Sequence, residues 1–345
     1  MNNLFEFLSS SNMVAYWLEK HVNEQPLLGE TLFPIKKELS IKMEWIKGAG
    51  DQPVALRLSA FDSKSIRRDR EGIEEYSTKM PFFKESMYVD EEMRQQLNLL
   101  VASNNEGMIK QIIARIFDDQ IKLIDSALIS LERMRMEALT TGTITLASNG
   151  QGYEYDFGIP EEQMTTVAKG WSDTTADIVG DVTKIVSDMK AKGITITRAI
   201  INESVAKNFR TNENLKNAIY VLAGGAIPSI STARALNYLY EETGVEFYVY
   251  DNVYVGEDKK AHKYVPDNTV VFLPAGDLGY THIGVTPEES DLMASSVADV
   301  AIVNSGIAVT NSIEVDPVRA ETKVSMIALP SFERANEVYI LDTEA

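Results

Sequence analysis

Length, composition and charge already exclude several classes of protein. The chain has 345 residues, 44% hydrophobic and 24% charged, which predicts two folded domains or one body with long excursions and argues against a disordered protein. Lys and Arg number 33 against 51 Asp and Glu, and the net charge of −18 disfavours a surface that grips nucleic-acid phosphates. The absence of cysteine excludes disulfide scaffolds, thiolate metal sites and cysteine nucleophiles.

The first 35 residues are predicted to form an arm. They start without the positive segment of a secretory signal, and a short amphipathic stretch, Met13–Leu18, is followed by closely spaced Pro and Gly residues. The longest uncharged stretch, 218–233, is broken by glycine and proline and is shorter than the roughly 20 apolar residues of a membrane span. We therefore expect a soluble cytoplasmic protein whose arm is not part of the core.

Residues 36–84 are predicted to form a long β-hairpin or loop, because apolar and polar residues alternate on both sides of a Gly48–Asp51 turn. This excursion carries 11 Lys and Arg against 8 Asp and Glu, a net charge of +3. Residues 86–345 carry 21 against 38, a net charge of −17. A basic excursion and an acidic body favour head-to-tail contacts between identical subunits, which close into rings when the rotation allows.

The excursion also contains the candidate interface residues, which are Lys64, Arg67, Arg68 and Arg70. We expect the three arginines to contact acidic surface of a neighbouring subunit. The alternative is that they pair only with the acidic residues beside them, which are Asp69, Glu71, Glu74 and Glu75.

The strongest helical signal runs from Met108 to Leu139, where apolar residues recur every three or four positions, and a shorter helix is predicted over 91–100. At 1.5 Å per residue the long helix measures about 48 Å and spans a whole domain. Its Asp118–Asp119 pair lies off the apolar stripe, which favours a solvated face, with metal binding as the alternative. Gly142 is expected to end the helix.

Beyond the long helix the pattern is mixed α/β, starting with a hairpin over 144–157 around Asn149–Gly150. Further helices are predicted over 174–192, 203–221 and 231–242, and further strands over 194–201, 245–255 and 264–273. Two last strands, 324–329 and 338–341, are expected to return to the long helix.

Searches for catalytic motifs find none in the sequence. His21, His262 and His282 lack the spacing of metal ligands and are interpreted as surface or structural histidines. There is no nucleophile elbow, Walker loop or dinucleotide fingerprint, and Gly224–Gly225 is interpreted as a loop. We expect neither a cofactor nor a metal; the alternative is an acidic α/β hydrolase or metal-dependent enzyme within 165–285.

Acidic pairs are expected to cap helices instead of forming an active site. Glu161–Glu162 and Glu288–Glu289 directly follow prolines, and acids are favourable at a helix N-terminus through the helix dipole. A third pair, Glu241–Glu242, lies at the end of a predicted helix. With 51 acidic residues in the chain, each such pair carries little weight.

Several segments resemble, in order along nearly the whole chain, the major capsid protein E family of tailed bacteriophages, the lambda-type head proteins. They are Leu32–Lys37 (LFPIKK), Leu58–Asp62 (LSAFD), Arg68–Gly72 (RDREG), Met80–Glu85 (MPFFKE), Val265–Val271 (VPDNTVV) and Leu329–Glu333 (LPSFE). None of these segments is catalytic, so the resemblance depends on their common order.

The resemblance implies an α+β chain with the Hong-Kong-97-type phage capsid fold. It assigns residues 1–35 to the N-terminal arm, 36–85 to an extended β-hairpin loop, 86–164 with 305–345 to a peripheral domain built on the long spine helix, and 165–304 to an axial α/β domain.

The resemblance also implies a function in shell assembly. Members of the family assemble from hexamers and pentamers into an icosahedral shell in the host cytoplasm, with a scaffold, a portal and in many cases a decoration protein. The shell becomes the virion capsid and encloses DNA without binding it specifically. Some relatives cross-link their shells by Lys–Asn isopeptide bonds, for which Lys64 with Asn304 or Asn311 has suitable residue types. An encapsulin-like compartment or another phage shell or tube component is the alternative.

Overall fold

The computed structural model describes residues 9–22, 25–47, 74–89, 91–92, 95, 99, 106–148, 150–223, 230–293, 298–315 and 318–344. These residues fall into two compact units. The first unit is drawn from Met1–Glu44, Ser77–Met134 and Tyr280–Ser331, and the second from Trp45–Tyr76, Arg135–Gly279 and Phe332–Ala345.

The helices and strands of the described residues are numbered in chain order. The helices are α1 (Ser10–His21), α2 (Leu28–Leu32), α3 (Glu106–Thr141), α4 (Ile178–Ala191), α5 (Glu203–Thr211), α6 (Glu213–Ala223) and α7 (Thr232–Thr243). The strands are β1 (Ile35–Lys37), β2 (Lys42–Lys47), β3 (Glu74–Lys79), β4 (Phe82–Val89), β5 (Thr143–Ser148), β6 (Gln151–Asp156), β7 (Met164–Thr166), β8 (Ile196–Ile201), β9 (Glu246–Val249), β10 (Val253–Val255), β11 (Ala261–Lys263), β12 (Thr269–Pro274), β13 (Thr281–Ile283), β14 (Asp299–Val303), β15 (Ile307–Val315), β16 (Val318–Pro330) and β17 (Tyr339–Asp342).

The first unit is organised around the long strand β16. Its sheet has the order β1-β13-β16-β15-β14, and β4 pairs with β16 in an antiparallel ladder from Phe82 to Val89. Val89 and Ala320 of this ladder pack with Ile116 and Phe117 of α3 in a buried apolar cluster. The long helix therefore covers one face of the sheet with its apolar stripe.

The turn between β14 and β15 approaches β13 closely in the first unit. A side-chain carbon added at Gly306 would lie 1.9 Å from Cγ2 of the buried Ile283. Glycine is needed at this position because a larger residue would overlap its neighbour.

Helix α1 also belongs to the first unit's core. Ser9 caps it by accepting a 3.2 Å hydrogen bond from the Asn12 amide, and Met13 and Trp17 are buried. Leu32 and Phe33 farther along the same segment are buried as well. The expectation that this segment adds nothing to the core is therefore wrong, because four of its large apolar side chains are buried in the unit.

The long helix is confirmed: α3 covers the predicted range 108–139 and ends where Gly142 adopts a φ of +74°. The hairpin over 144–157 is confirmed as β5 and β6, with Gly150 at a φ of +73° in its turn. Both elements could be predicted because their sequence signals are local: a long apolar stripe for the helix and an Asn–Gly pair for the hairpin turn.

The second unit has a mixed sheet of order β7-β17-β12-β8-β9, covered by α4, α5, α6 and α7. Asp177, Asn202 and Ser231 accept hydrogen bonds from backbone amides at the starts of α4, α5 and α7. The core includes a chain of neighbouring rings, which are Trp171, Phe209, Phe247, Phe272 and Tyr339.

One prediction for this part of the chain is wrong. The helix predicted over 203–221 is broken at Asn212, whose backbone is extended and whose side chain accepts from the Leu215 amide at 2.9 Å and so caps α6. The last strand, β17, pairs with β12 and β7 in the second unit. Its return to the long helix stays a prediction. Its neighbours are set by pairing over a long sequence distance, which periodicity does not report.

Part of the predicted hairpin excursion lies outside the described residues. Strands β2 and β3 pair with each other at its base, and the sequence had predicted β2 but not β3. The strand predicted over 54–58 and the Gly48–Asp51 turn lie outside the described residues. The boundaries assigned to arm, loop, peripheral domain and axial domain stay predictions.

Candidate assembly surfaces

The candidate interface residues Lys64, Arg67, Arg68 and Arg70 all lie outside the described residues, so their role stays a prediction. Of the two asparagines considered for cross-linking, Asn304 lies in the turn after β14 with a φ of +44°. Asn311 lies on β15, where its Oδ1 accepts a 2.6 Å hydrogen bond from the Thr322 hydroxyl.

The first candidate surface is β4 of the first unit. Among the described residues no strand pairs with its outer edge, and its register with β16 is continuous over eight residues. The Phe82 and Tyr88 side chains are each 45% exposed. The Lys84 ammonium lies over the Phe82 ring, and the Arg319 guanidinium lies over the Tyr88 ring. A long edge strand without a bulge or a proline is a ready template for another chain unless something covers it.

A buried ion pair supports the same sheet. The Lys323 ammonium lies 2.9 Å from Oε1 of Glu288, and the Ser325 hydroxyl donates to Oε2 at 2.9 Å. Burial raises the pKa of the Glu288 carboxyl, but the hydrogen bonds from Lys323 and Ser325 outweigh burial and hold it below its usual value. Lys323 lies opposite Ser86 of β4, so the pair lies on the strand that holds the exposed edge.

Glu288 and Glu289 lie in the first turn of a short helical segment, as expected, but they also make specific ion pairs that the sequence did not indicate. Pro287 does precede a short helical turn, Glu288–Leu292, but Glu288 is buried and bound by side chains of β16. Glu289 forms a 2.6 Å ion pair with Lys37. The sequence carries no signal for these pairs, because their partners come from distant strands.

Acidic residues of α3 bind helix α1. Asp118 accepts a 2.8 Å hydrogen bond from the Tyr16 hydroxyl and pairs with Lys20, and Asp125 accepts a 2.8 Å hydrogen bond from the Trp17 indole. The hydrogen bonds from Lys20 and Tyr16 hold the pKa of Asp118 below its usual value. The Asp118 side chain remains 45% exposed, so it lies on a solvated face as predicted, but it also binds α1, which the sequence did not indicate.

The second candidate surface lies on the second unit, where β9 ends the sheet and β10 and β11 form a hairpin. Val253 and Val255 on one face of this hairpin are 56% and 66% exposed. On its other face the Tyr254 ring stacks on His262, which lies 2.9 Å from Asp258. The stacked rings hold the hairpin in shape while its valine face stays open.

The histidines occupy structural positions, as one of the two interpretations expected. His282 is buried in β13, with Nδ1 at 2.9 Å from Glu38 Oε1 and Nε2 at 3.2 Å from the Ser331 hydroxyl. His21 stacks on Trp17, and His262 is exposed beside Asp258.

In the described part of the chain there is no group of three or more His, Asp or Glu residues that could hold a metal ion. None of the helices described is both long enough and apolar enough to cross a membrane. The features that distinguish the chain are its exposed strand edges and apolar hairpin, which suit contacts between proteins.

Comparison with solved structures identifies the fold. A prophage protein of Escherichia coli CFT073 named as a capsid protein is 15% identical, with a TM-score of 0.60 over 97% of this chain and 98% of its own. A phage-related protein of Bordetella bronchiseptica RB50 is 12% identical, with a TM-score of 0.54 over 94% and 95%. The capsid subunit of cyanophage A-1(L) is 11% identical, with a TM-score of 0.52 over 92% of each chain. The predicted Hong-Kong-97-type fold is confirmed.

Comparison of sequences identifies the family. No curated protein matches the chain significantly. The model of the phage major capsid protein E family, however, matches residues 9–343, which is nearly the whole chain. The chain therefore belongs to the phage major capsid protein E family.

Proposed function

We propose that many copies of this chain assemble, as hexamers and pentamers, into the icosahedral shell that encloses a phage genome. The observation that carries this proposal is the family match over nearly the whole chain. The protein's role is then geometric, as a structural component of the virion capsid and not an enzyme.

The two candidate surfaces supply contacts of the kind that such a shell needs. The open edge of β4 and the valine face of the β10–β11 hairpin are apolar and exposed on different units. An exposed ion pair contributes only about 0–1 kcal/mol, so each contact made by the excursion's arginines would be weak. A closed symmetric shell repeats each contact many times, and the small contributions add up. Covering the β4 edge in the shell would also remove an aggregation hazard.

The charge of the chain suits a container for DNA. With a net charge of −18, the wall would repel phosphates instead of holding them, so that packed DNA slides along it. We infer that the DNA is enclosed without specific binding. Assembly in the host cytoplasm, with a scaffold, a portal and in some shells a decoration protein, completes the proposal.

Electron microscopy of the purified, overexpressed protein tests the proposal. We expect closed polyhedral particles of one or a few sizes. Tubes, or small oligomers at every protein concentration, would contradict it. Mass spectrometry of nuclease-treated particles separates a genome shell from an encapsulin-like compartment, because reproducible capture of one protein cargo would favour the compartment.

A further inference from the structure

A short segment of the second unit is held by two arginines in an unusual way. The segment is 274–277, which begins at the last residue of β12, and its Gly276 has a φ of +86°. Arg198 donates from Nε to the Pro274 carbonyl at 3.0 Å and from Nη2 to the Gly276 carbonyl. Arg334 donates from Nη1 to the Ala275 carbonyl at 2.8 Å and to the Asp277 carbonyl at 3.0 Å. Four consecutive carbonyls are therefore bound by two guanidinium groups.

Placing two cations side by side is unfavourable without specific compensation. Burial lowers the pKa of the Arg198 guanidinium, and the charge of Arg334 acts in the same direction. The carbonyl dipoles offset this cost, and Glu337 binds Arg334 through Nε at 3.0 Å and Nη2 at 2.5 Å. Position 334 requires arginine, because the planar guanidinium has several N–H donors that can bind a carboxylate and two carbonyls at once. The single ammonium of lysine does not have donors in this arrangement.

The clamped segment lies where the chain leaves the second unit, since the first unit resumes at Tyr280. The chain comes back at Phe332, and the Arg334 amide donates to the Leu278 carbonyl at 3.0 Å. The outgoing and returning chains are thus tied together within the second unit. Within the first unit, the Ser331 amide donates to the Tyr280 carbonyl at 2.7 Å, so the same two chains are tied there too.

We propose that Arg334 ties the outgoing and returning chains into one paired ribbon within the second unit, that Arg198 fixes the outgoing chain from β8, and that regular shell assembly depends on this two-arginine clamp. Two chain segments that are tied together admit fewer conformations than two segments that move separately. The dependence of assembly on the clamp rests on the proposed function; the clamp itself does not.

The test compares Arg334→Ala and Arg334→Lys with Arg210→Ala. Arg210 is a matched control because it is an arginine of the same unit that pairs only at the surface, with Glu203 at 2.9 Å. Hydrogen exchange is measured on the full chain over residues 332–338. Helices α4 and α7, which contain no residue of the clamp, serve as internal references. We expect Arg334→Ala to speed exchange over 332–338 about tenfold or more, Arg334→Lys to speed it less, and Arg210→Ala to leave it unchanged.

The same variants are then assembled and imaged. We expect Arg334→Ala to give a lower fraction of regular closed particles than the wild type and Arg210→Ala to give the same fraction. Unchanged exchange in Arg334→Ala overturns the clamp, and wild-type particles from a variant with fast exchange overturn its role in assembly. If the wild type itself forms no shell, the proposed function fails while the exchange result still decides the clamp. Should Arg334→Ala not fold, Glu337→Gln takes its place, because it weakens the fork without removing the arginine.

Discussion

The buried pair of Glu288 and Lys323 offers a sharp test of how the first unit is stabilised. Replacing Glu288 by alanine leaves the Lys323 ammonium without its partner beside a strand pair that forms the centre of the sheet. It also leaves the Ser325 hydroxyl without its acceptor. Both consequences act on β16, which pairs with β4, β13 and β15.

The expected loss follows from the burial of the two side chains. Glu288 is 5% exposed and Lys323 23% exposed, so the lysine still reaches some water once it is unpaired. Breaking a fully buried pair costs about 3–5 kcal/mol, and partial access to water places this one at the lower end, about 3 kcal/mol. The Lys192–Glu162 pair of the second unit is 38% and 70% exposed and provides the contrast, because surface pairs contribute about 0–1 kcal/mol.

The assay is urea unfolding of dissociated subunits, with Lys192→Ala as the control variant and Glu288→Ala/Lys323→Ala to close a double-mutant cycle. Because the pKa of Glu288 is lowered on folding, its stabilising effect is present above the unfolded value, 4.5, and is lost as the pH falls through the lower folded value. The stability difference between the wild type and Glu288→Gln should therefore stay constant above pH 4.5, shrink as the pH falls below that value, and level off once the pH lies below the folded pKa. A loss in Glu288→Ala no larger than that in Lys192→Ala would refute the reasoning.

Three further predictions concern assembly and packing. Reversing Arg67, Arg68 and Arg70 to Glu should leave a folded subunit by circular dichroism that does not assemble in sedimentation, and particles of normal size would contradict this. Gly306→Ala should lower the midpoint of thermal unfolding by a loss of about 1–3 kcal/mol, because of the overlap with β13 described above, and an unchanged midpoint would contradict the close approach. Val255→Lys should change subunit stability by less than about 0.5 kcal/mol but reduce particle yield, whereas an unchanged yield would remove the hairpin's valine face from the contacts.

Local patterns predicted the elements whose causes are local. The apolar stripe of α3 and the Asn–Gly turn of the β5–β6 hairpin lie within short stretches of sequence, and both elements form as expected. The break at Asn212 was missed because an asparagine within a helical pattern can lie inside one helix or cap the start of the next. The spacing of apolar residues is the same in both cases. The neighbours of β17 and the burial of Glu288 depend on strands far away in the chain.

The candidate surfaces were predicted only in outline. The sequence indicated a basic excursion and an acidic body, and hence contacts between copies. It did not indicate the open edge of β4, because a strand becomes an edge through what its neighbours leave uncovered. The two-arginine clamp was equally invisible, since Arg198 and Arg334 are more than a hundred residues apart and bind backbone carbonyls, which every sequence has.

The pairing of β4 with β16 has a consequence for synthesis on the ribosome. β4 is translated early, but the strand that holds it is completed only at Pro330, near the end of the chain. The second unit's sheet waits longer, for β17 at Tyr339–Asp342. A nascent chain therefore carries β4 without its partner strand through most of translation, and during that time the strand's apolar residues are open to association with neighbouring chains on the same polysome.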